Sequence, residues 1–220
     1  MTERPPVVRG KRIRCAACLR PQSTCLCQWV TPTSHHTEVL ILQHPMEVTE
    51  AKGSARLLHL SLQRSQVLTG EVFGAALDAA LHGPHCNLLL FPETRHDLGT
   101  DLLPPVPEPA PRRPLQPTRL VVLDGTWRKC RKMLVLNPQL QSMRRLPLAA
   151  TPASRYLIRK AHEAHQLSTL EATCVALAQL EGDAFAMQSL LDAFDGFIGQ
   201  QLARRPAPAG RSTDHGSTLP

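Results

Sequence analysis

The stretch Val121–Met133, VVLDGTWRKCRKM, constrains the fold of this chain more than any other. Apolar, partly β-branched residues run into the turn dipeptide Asp124-Gly125, and Thr126 is then placed to cap a helix carrying Trp127, Met133 and Leu134 among four cationic side chains. The pattern predicts strand, sharp turn, helix. In an open α/β sheet ligands gather at the carboxyl ends of strands, where loops face a crevice and the next helix offers free N–H groups. Asp124 at such an edge is a candidate for chemistry. The competing reading is that Asp124 closes an Asx turn and Trp127 is core.

The flanking chain repeats the alternation. Thr37–Gln43 reads as a buried strand, and Thr49 is placed to cap a helix from Glu50 to Leu62, with Ala51, Ala55, Leu58 and Leu62 on one face and Lys52, Arg56 and His59 on the other. A strand over Ser65–Thr69, a helix over Phe73–Leu81 and a strand over Asn87–Phe91 follow, the last running into Pro92-Glu93 at the same carboxyl edge as Asp124. Asn137-Pro138 stops the central helix, and Arg144–Leu148 reads as one more short strand. Ser168-Thr169-Leu170-Glu171 is a capping box opening a helix through Leu180, and Gly182-Asp183 separates it from a last helix, Ala184 to about Leu202. The fold class expected is α/β with a mostly parallel sheet. Neither a dinucleotide-binding nor a P-loop glycine signature is present.

Ahead of this domain, expected over 37–203, stands RCAACLRPQSTCLCQ, which places Cys15, Cys18, Cys25 and Cys27 within thirteen positions. In a chain that reads as cytoplasmic, four thiols so spaced fit a structural zinc site better than disulfides, giving a zinc-binding segment over 15–36. Residues 1–14 and 204–220 read as disordered tails, and the seven prolines of 100–118 as an extended loop. No apolar run approaches the roughly 20 residues that span a bilayer, so no membrane association is expected.

Net charge is +7, and its distribution says more than its total. Residues 121–160 hold nine Lys/Arg against the single Asp124, and residues 1–20 hold six against one acid. Basic clusters beside a candidate site favour a polyanionic partner, because each phosphate contact releases counterions. A solvated face is the alternative.

Four motifs stand in order: the four-Cys cluster; His44-Pro45-x-Glu47 with Ala51-Lys52 and Ala55-Arg56-Leu57-Leu58; Asp124-Gly125-Thr126-Trp127 with Arg131-Lys132-Met133-Leu134; and Ser154-Arg155-Tyr156-x-Ile158-Arg159-Lys160 with Leu167–Ala172. Together they closely resemble the DTW-domain family, the tRNA-uridine aminocarboxypropyltransferases. The resemblance covers roughly residues 14–200, with Gly53-Ser54 and Cys130 as small departures from the family pattern. It implies a SPOUT-like fold with a trefoil knot, an exception to the rule against knots. It also implies S-adenosylmethionine as donor and a tRNA uridine as acceptor, the 3-amino-3-carboxypropyl group passing to uridine N3.

On that resemblance Asp124, Thr126 and Trp127 are the catalytic candidates. Asp124 either removes the imide proton or orients the uracil or the donor, and Trp127 either stacks on a base or packs. Phe91, Pro92, Glu93, Asp124, Arg155, Arg159, Ser168 and Thr169 are candidates for the donor, with Arg155 or Arg159 suited to its carboxylate. His44, Glu47, Lys52, Arg56, Arg128, Lys129, Arg131 and Lys132 are candidates for tRNA. Two rival readings are an RNA methyltransferase using the same donor and a zinc-containing RNA-binding module without catalysis. The sequence leaves the oligomeric state open.

Overall fold

A computed structural model describes residues 13–50, 53–92, 116–149, 154 and 167–204. Its elements are β1 (Glu38–Gln43), α1 (Ala55–Ser61), β2 (Ser65–Thr69), α2 (Ala75–Leu81), β3 (Cys86–Leu90), β4 (Thr118–Asp124), α3 (Trp127–Leu136), α4 (Pro138–Gln141), β5 (Arg144–Arg145), α5 (Thr169–Glu181) and α6 (Gln188–Ala203). The five strands form one parallel sheet in the order β2-β1-β4-β3-β5. The Pro-rich stretch up to 115 and, of the tails, residues 1–12 and 205–220 lie outside the described residues.

Strand side chains alternate between faces, so β4 serves two cores at once. Leu120 and Val122 join Val39 and Ile41 under α1, α5 and α6, where Leu57, Leu58, Leu177, Leu190, Phe194 and Phe197 fill the layer. Val121 and Leu123 join Leu40, Leu42 and Leu89 under α2, α3 and α4, against Phe73, Leu77, Met133, Leu134 and Leu140. The result is three layers, helices on both sides of the sheet. No helix among the described residues is long and apolar enough to cross a membrane.

The four-Cys stretch belongs to the first of these cores. Cys18 and Leu26 are buried within it, and the segment that follows is stitched down by Thr31 N–H to Ser61 Oγ (3.2 Å) and by a bridge between Thr33 and Leu62. Trp29 Nε1 donates to Gln200 Oε1 at 2.7 Å, and its ring lies directly on α6 at Gly196.

Several boundaries differ from expectation. The first helix begins at Ala55, not Glu50, because Pro45–Glu47 forms a 3-10 turn and the backbone continues in turns, Glu50 N to Glu47 O and Gly53 N to Glu50 O. Ser54, not Thr49, therefore sits at the N-cap. The fifth strand is two residues long, and α6 starts at Gln188 rather than Ala184. The capping box is formed as expected, and Gly182 ends α5 in the left-handed conformation at φ 71°.

Candidate functional site

The carboxyl end of β4 is where three elements meet. In register, Gln43 of β1 lies opposite Asp124, and Asp124 is only 5 % exposed. Gln43 Nε2 donates to its Oδ2 at 2.9 Å, and Thr169 Oγ1, at the start of α5, donates to its Oδ1 at 2.7 Å. A buried carboxylate is tolerated only when its oxygens find donors, and these two serve both oxygens. The turn that follows must be small at Gly125, where a Cβ would come within 3.1 Å of Lys129 Cβ and 3.4 Å of Cys130 Sγ. Thr126 then caps α3, its side chain accepting from Lys129 N.

Two clefts open on either side of this turn. The first, about 260 Å³, is lined by Glu47, Glu50, Gly53, Ser54, Asp124, Thr126 and Lys129 together with Ser168 and Thr169. The second, about 120 Å³, is mainly apolar, with Leu90, Phe91, Val122, Leu123, Trp127, Cys130, Leu167 and Ala172. Gly125, Ser168 and Thr169 border both. One bound molecule could therefore present a polar part and an apolar part on the two sides of the Asp124-Gly125 turn. Phe91 is fixed at the second cleft by the Arg145 guanidinium, 5.1 Å from its ring centroid, while Arg145 Nη1 donates to Pro92 O at 2.8 Å. Trp127 meets Phe91 edge to face at 5.7 Å and stays 45 % exposed. That exposure excludes the reading of Trp127 as core.

At the amino end of α5, Ser168 Oγ accepts from Glu171 N, and Glu171 Oε2 accepts from Ser168 N at 2.7 Å. The same carboxylate accepts from Ser154 Oγ at 3.0 and 3.1 Å. Glu171 thus anchors the first residue of the SRYLIRK motif beside the clefts.

Elsewhere, the four thiols form a compact group. Cys15 Sγ lies 3.6 Å from Cys27 Sγ, Cys18 Sγ lies 3.7 Å from Cys25 Sγ, and all four are within 4.8 Å of one another. Four sulfurs about 2.3 Å from a common centre stand about 3.8 Å apart in a regular tetrahedron, so the group could hold a metal ion. Backbone N–H groups of Cys18 and Ala17 draw the Cys15 thiol down to about 6, whereas burial pushes Cys27 up to about 12. The knuckle also holds Leu19 at φ 59°, left-handed for a non-glycine residue, which costs on the order of 1 kcal/mol.

The sequence matches the model of the DTW domain over residues 12–202. The chain belongs to the DTW-domain family. It is similar to proteins named tRNA-uridine aminocarboxypropyltransferase 2: 28% identical over 210 residues to that of Macaca fascicularis (91% of this chain, 67% of the relative) and 29% over 202 to that of Mus musculus (87% and 64%). To that of Drosophila melanogaster it is 30% identical over 191 residues (83% and 72%). The chain thus spans about two thirds of the length of these relatives. No solved structure matches it significantly.

Within this DTW domain the predicted site residues divide. Asp124, Thr126, Trp127, Phe91, Ser168, Thr169, Glu47 and Lys129 line the two clefts. Lys52, Glu93, Arg155 and Arg159 lie outside the described residues. Lys129 Nζ is paired with Glu47 Oε1 at 2.7 Å, and Lys132 Nζ with Glu71 Oε2 at 2.8 Å. His44, buried beneath the turn, accepts from Met46 N at Nδ1, so its Nε2–H donates to Glu71 Oε1 at 2.6 Å. Lys132 and His44 together hold the Glu71 carboxyl below the usual range. Arg56 turns away from the clefts and donates to Ala17 O in the knuckle. Arg128 and Arg131 are exposed beside Trp127 on the outer face of α3.

Sequence reasoning missed Gln43, Glu50 and Glu71. Gln43 was legible as the last residue of a strand whose end faces the site. Glu71, in a loop with no motif around it, carried no local signal.

Proposed function

We propose that this protein transfers the 3-amino-3-carboxypropyl group of S-adenosylmethionine to N3 of a uridine in tRNA, releasing methylthioadenosine. The observation that carries the reading is Asp124, held by Gln43 and Thr169 between a polar and an apolar cleft, in a DTW domain whose relatives bear the name of that activity. A sulfonium makes each attached carbon electrophilic, so the enzyme selects the product by aiming one carbon in line with the nucleophile. The uridine N3–H bond breaks, an N3–C bond forms, and the pair of the broken S–C bond returns to sulfur.

Asp124 is assigned to accept the imide proton or to orient the uracil that loses it, since its carboxylate lines the first cleft and a carboxylate oxygen can take more than one partner. The second cleft, with Phe91 and Trp127, suits an adenine ring or a flipped uracil. Ser168 and Thr169 offer the amino end of α5, and Arg155 or Arg159 is assigned to the donor carboxylate. The test is mass analysis of tRNA nucleosides from cells with and without the gene; loss of aminocarboxypropyl-uridine is expected, and an unchanged nucleoside profile overturns the reading.

The domain division of 15–36 and 37–203, a reducing cytoplasmic setting, and a SPOUT-like trefoil knot belong to the same reading. The all-parallel sheet in the order β2-β1-β4-β3-β5 supports the SPOUT-like part of it.

Zinc is the metal assigned to Cys15, Cys18, Cys25 and Cys27, because an all-thiolate tetrahedron suits it and the spacings fit. Elemental analysis is expected to find about one zinc per chain; metal-free reduced protein with four freely titratable thiols overturns the assignment.

For tRNA, the ion pairs rank the cations. Arg128→Ala is expected to weaken binding and to reduce the slope of log affinity against log salt by about 1. Lys129→Ala is expected to change the slope less, since Glu47 already neutralises that ammonium. Filter binding across salt concentrations decides; an affinity that does not respond to salt returns the whole face to a solvated one.

A further inference from the structure

The four-Cys knuckle and the first cleft are joined by two arginines that cross between them. Arg20, just after Cys18, is buried, with its guanidinium 5.0 Å from the centroid of the Phe197 ring, and its Nη2 donates to Gly53 O at 3.0 Å. Arg56, in the first turn of α1, reaches the opposite way and donates to Ala17 O, between Cys15 and Cys18. Charge-assisted bonds of this kind, made by a planar and positioned donor, fix geometry as well as adding energy.

What they fix is the wall of the cleft. Gly53 and Ser54 line it. Ser54 is buried, and its Oγ accepts from Leu170 N at 3.3 Å, satisfying one of the otherwise free N–H groups of the first turn of α5. The neighbouring Thr169 is the donor that holds Asp124. A continuous path therefore runs from the knuckle through Arg20, Gly53, Ser54 and the start of α5 to Asp124.

The knuckle is a conformation that needs support. Leu19, between Cys18 and Arg20, is the one non-glycine residue at positive φ among the described residues. Its backbone is held by Leu19 N to Cys15 O at 2.9 Å, Cys15 N to Arg20 O at 2.8 Å, and Arg14 Nε to Leu19 O at 2.8 Å. A ligand-bound Cys15 and Cys18 would clamp both ends of this turn, and the aim of Arg20 depends on it.

We propose that Arg20 and Arg56 are positioning residues that couple the four-Cys knuckle to the Gly53–Ser54 wall, so that metal held by the knuckle sets the geometry of the cleft beside Asp124. The knuckle then acts on the donor site through the fold, a role distinct from touching tRNA. The donor arm of the test rests on the function proposed above; the exchange arm does not.

The experiment compares full-length wild type, wild type after metal chelation, Arg20→Met, Arg20→Lys and Arg56→Met. Deuterium uptake is followed by mass spectrometry over the Gly53–Arg56 and Ser168–Ala172 segments, with β4 as the control for global folding. Zinc content and S-adenosylmethionine affinity, by calorimetry, are measured on the same samples. Arg20→Met and Arg56→Met are expected to keep zinc and a protected β4 while uptake in both cleft segments rises toward that of the chelated protein. Donor Kd should rise about tenfold, and Arg20→Lys, which can still reach Gly53 O, should recover most of it. Loosening confined to the knuckle, with the cleft segments and Kd as in wild type, overturns the coupling. If β4 protection is lost in one arginine variant, the other variant and the chelated wild type decide by the same criterion. Wild type that fails to bind S-adenosylmethionine, yet shows the cleft segments loosening on chelation, overturns the function reading and upholds the coupling.

Discussion

Asp124→Asn is expected to fold and to bind tRNA as wild type does, while transfer to uridine falls by ~10²-fold or more, the scale of losing a general base. The substitution preserves the local hydrogen bonds. An asparagine Oδ1 turned to Gln43 still accepts from its amide, and the asparagine NH₂ can donate to Thr169, whose hydroxyl serves equally as acceptor. What disappears is the negative charge and the second acceptor. Circular dichroism and filter binding should therefore be unchanged where single-turnover chemistry is not. Wild type given S-adenosylmethionine and unmodified tRNA should yield methylthioadenosine together with aminocarboxypropyl-uridine. If S-adenosylhomocysteine and a methylated base appear instead, the protein is a methyltransferase. If no product forms, and Asp124→Asn cannot be told from wild type, Asp124 is a turn residue in an RNA-binding module.

Gly196→Val is expected to be among the most damaging single changes away from the clefts. Glycine inside α6 is unfavourable by about 1 kcal/mol relative to alanine, yet a Cβ at 196 would lie 2.0, 2.5 and 2.6 Å from three ring carbons of Trp29. The ring cannot retreat freely, because Nε1 is bonded to Gln200 one turn along the same helix. Overpacking of this kind typically costs about 1–3 kcal/mol, and with a branched side chain the upper end, about 3 kcal/mol, is expected. For a domain of this size that lowers the melting temperature by roughly 6–12 °C. The double variant Trp29→Ala with Gly196→Val is the diagnostic. With the ring gone, the Gly196→Val change should cost nothing beyond Trp29→Ala alone and should gain a few tenths of a kcal/mol of helix propensity. A melting temperature for Gly196→Val equal to wild type would mean that Trp29 does not lie on α6, and that the four-Cys segment is not docked there.

Two of the cations that the sequence counts as one basic field are paired within the fold. Nine Lys/Arg in residues 121–160 read as one basic field, yet Lys129 and Lys132 spend their charge on Glu47 and Glu71. Both carboxylates come from distant parts of the chain, 82 and 61 residues away. Arg128 and Arg131, on the same helix α3, are exposed beside Trp127.

What the sequence determined by itself is what depends on neighbours within a turn or two. The Ser168–Glu171 capping box, the Thr126 cap of α3, the halt at Asn137-Pro138 and the five strands were legible because their hydrogen bonds and apolar periods close within a few residues. The thiol group was legible for the same reason, four cysteines sharing one short loop. Where local signals competed, the reading failed: Thr49 is as good a cap as Ser54 in isolation, and it is the turn after His44, together with the Arg20 bond to Gly53 O, that precedes a helix starting at Ala55. The tertiary structure alone decided that Asp124 is held by Gln43 and Thr169, 81 and 45 residues away, that Arg56 serves the knuckle, and that Trp29 rests on Gly196. A side chain's type states what it can bond to, and the partner it finds is set by which strands lie side by side, information that no local stretch of this chain contains.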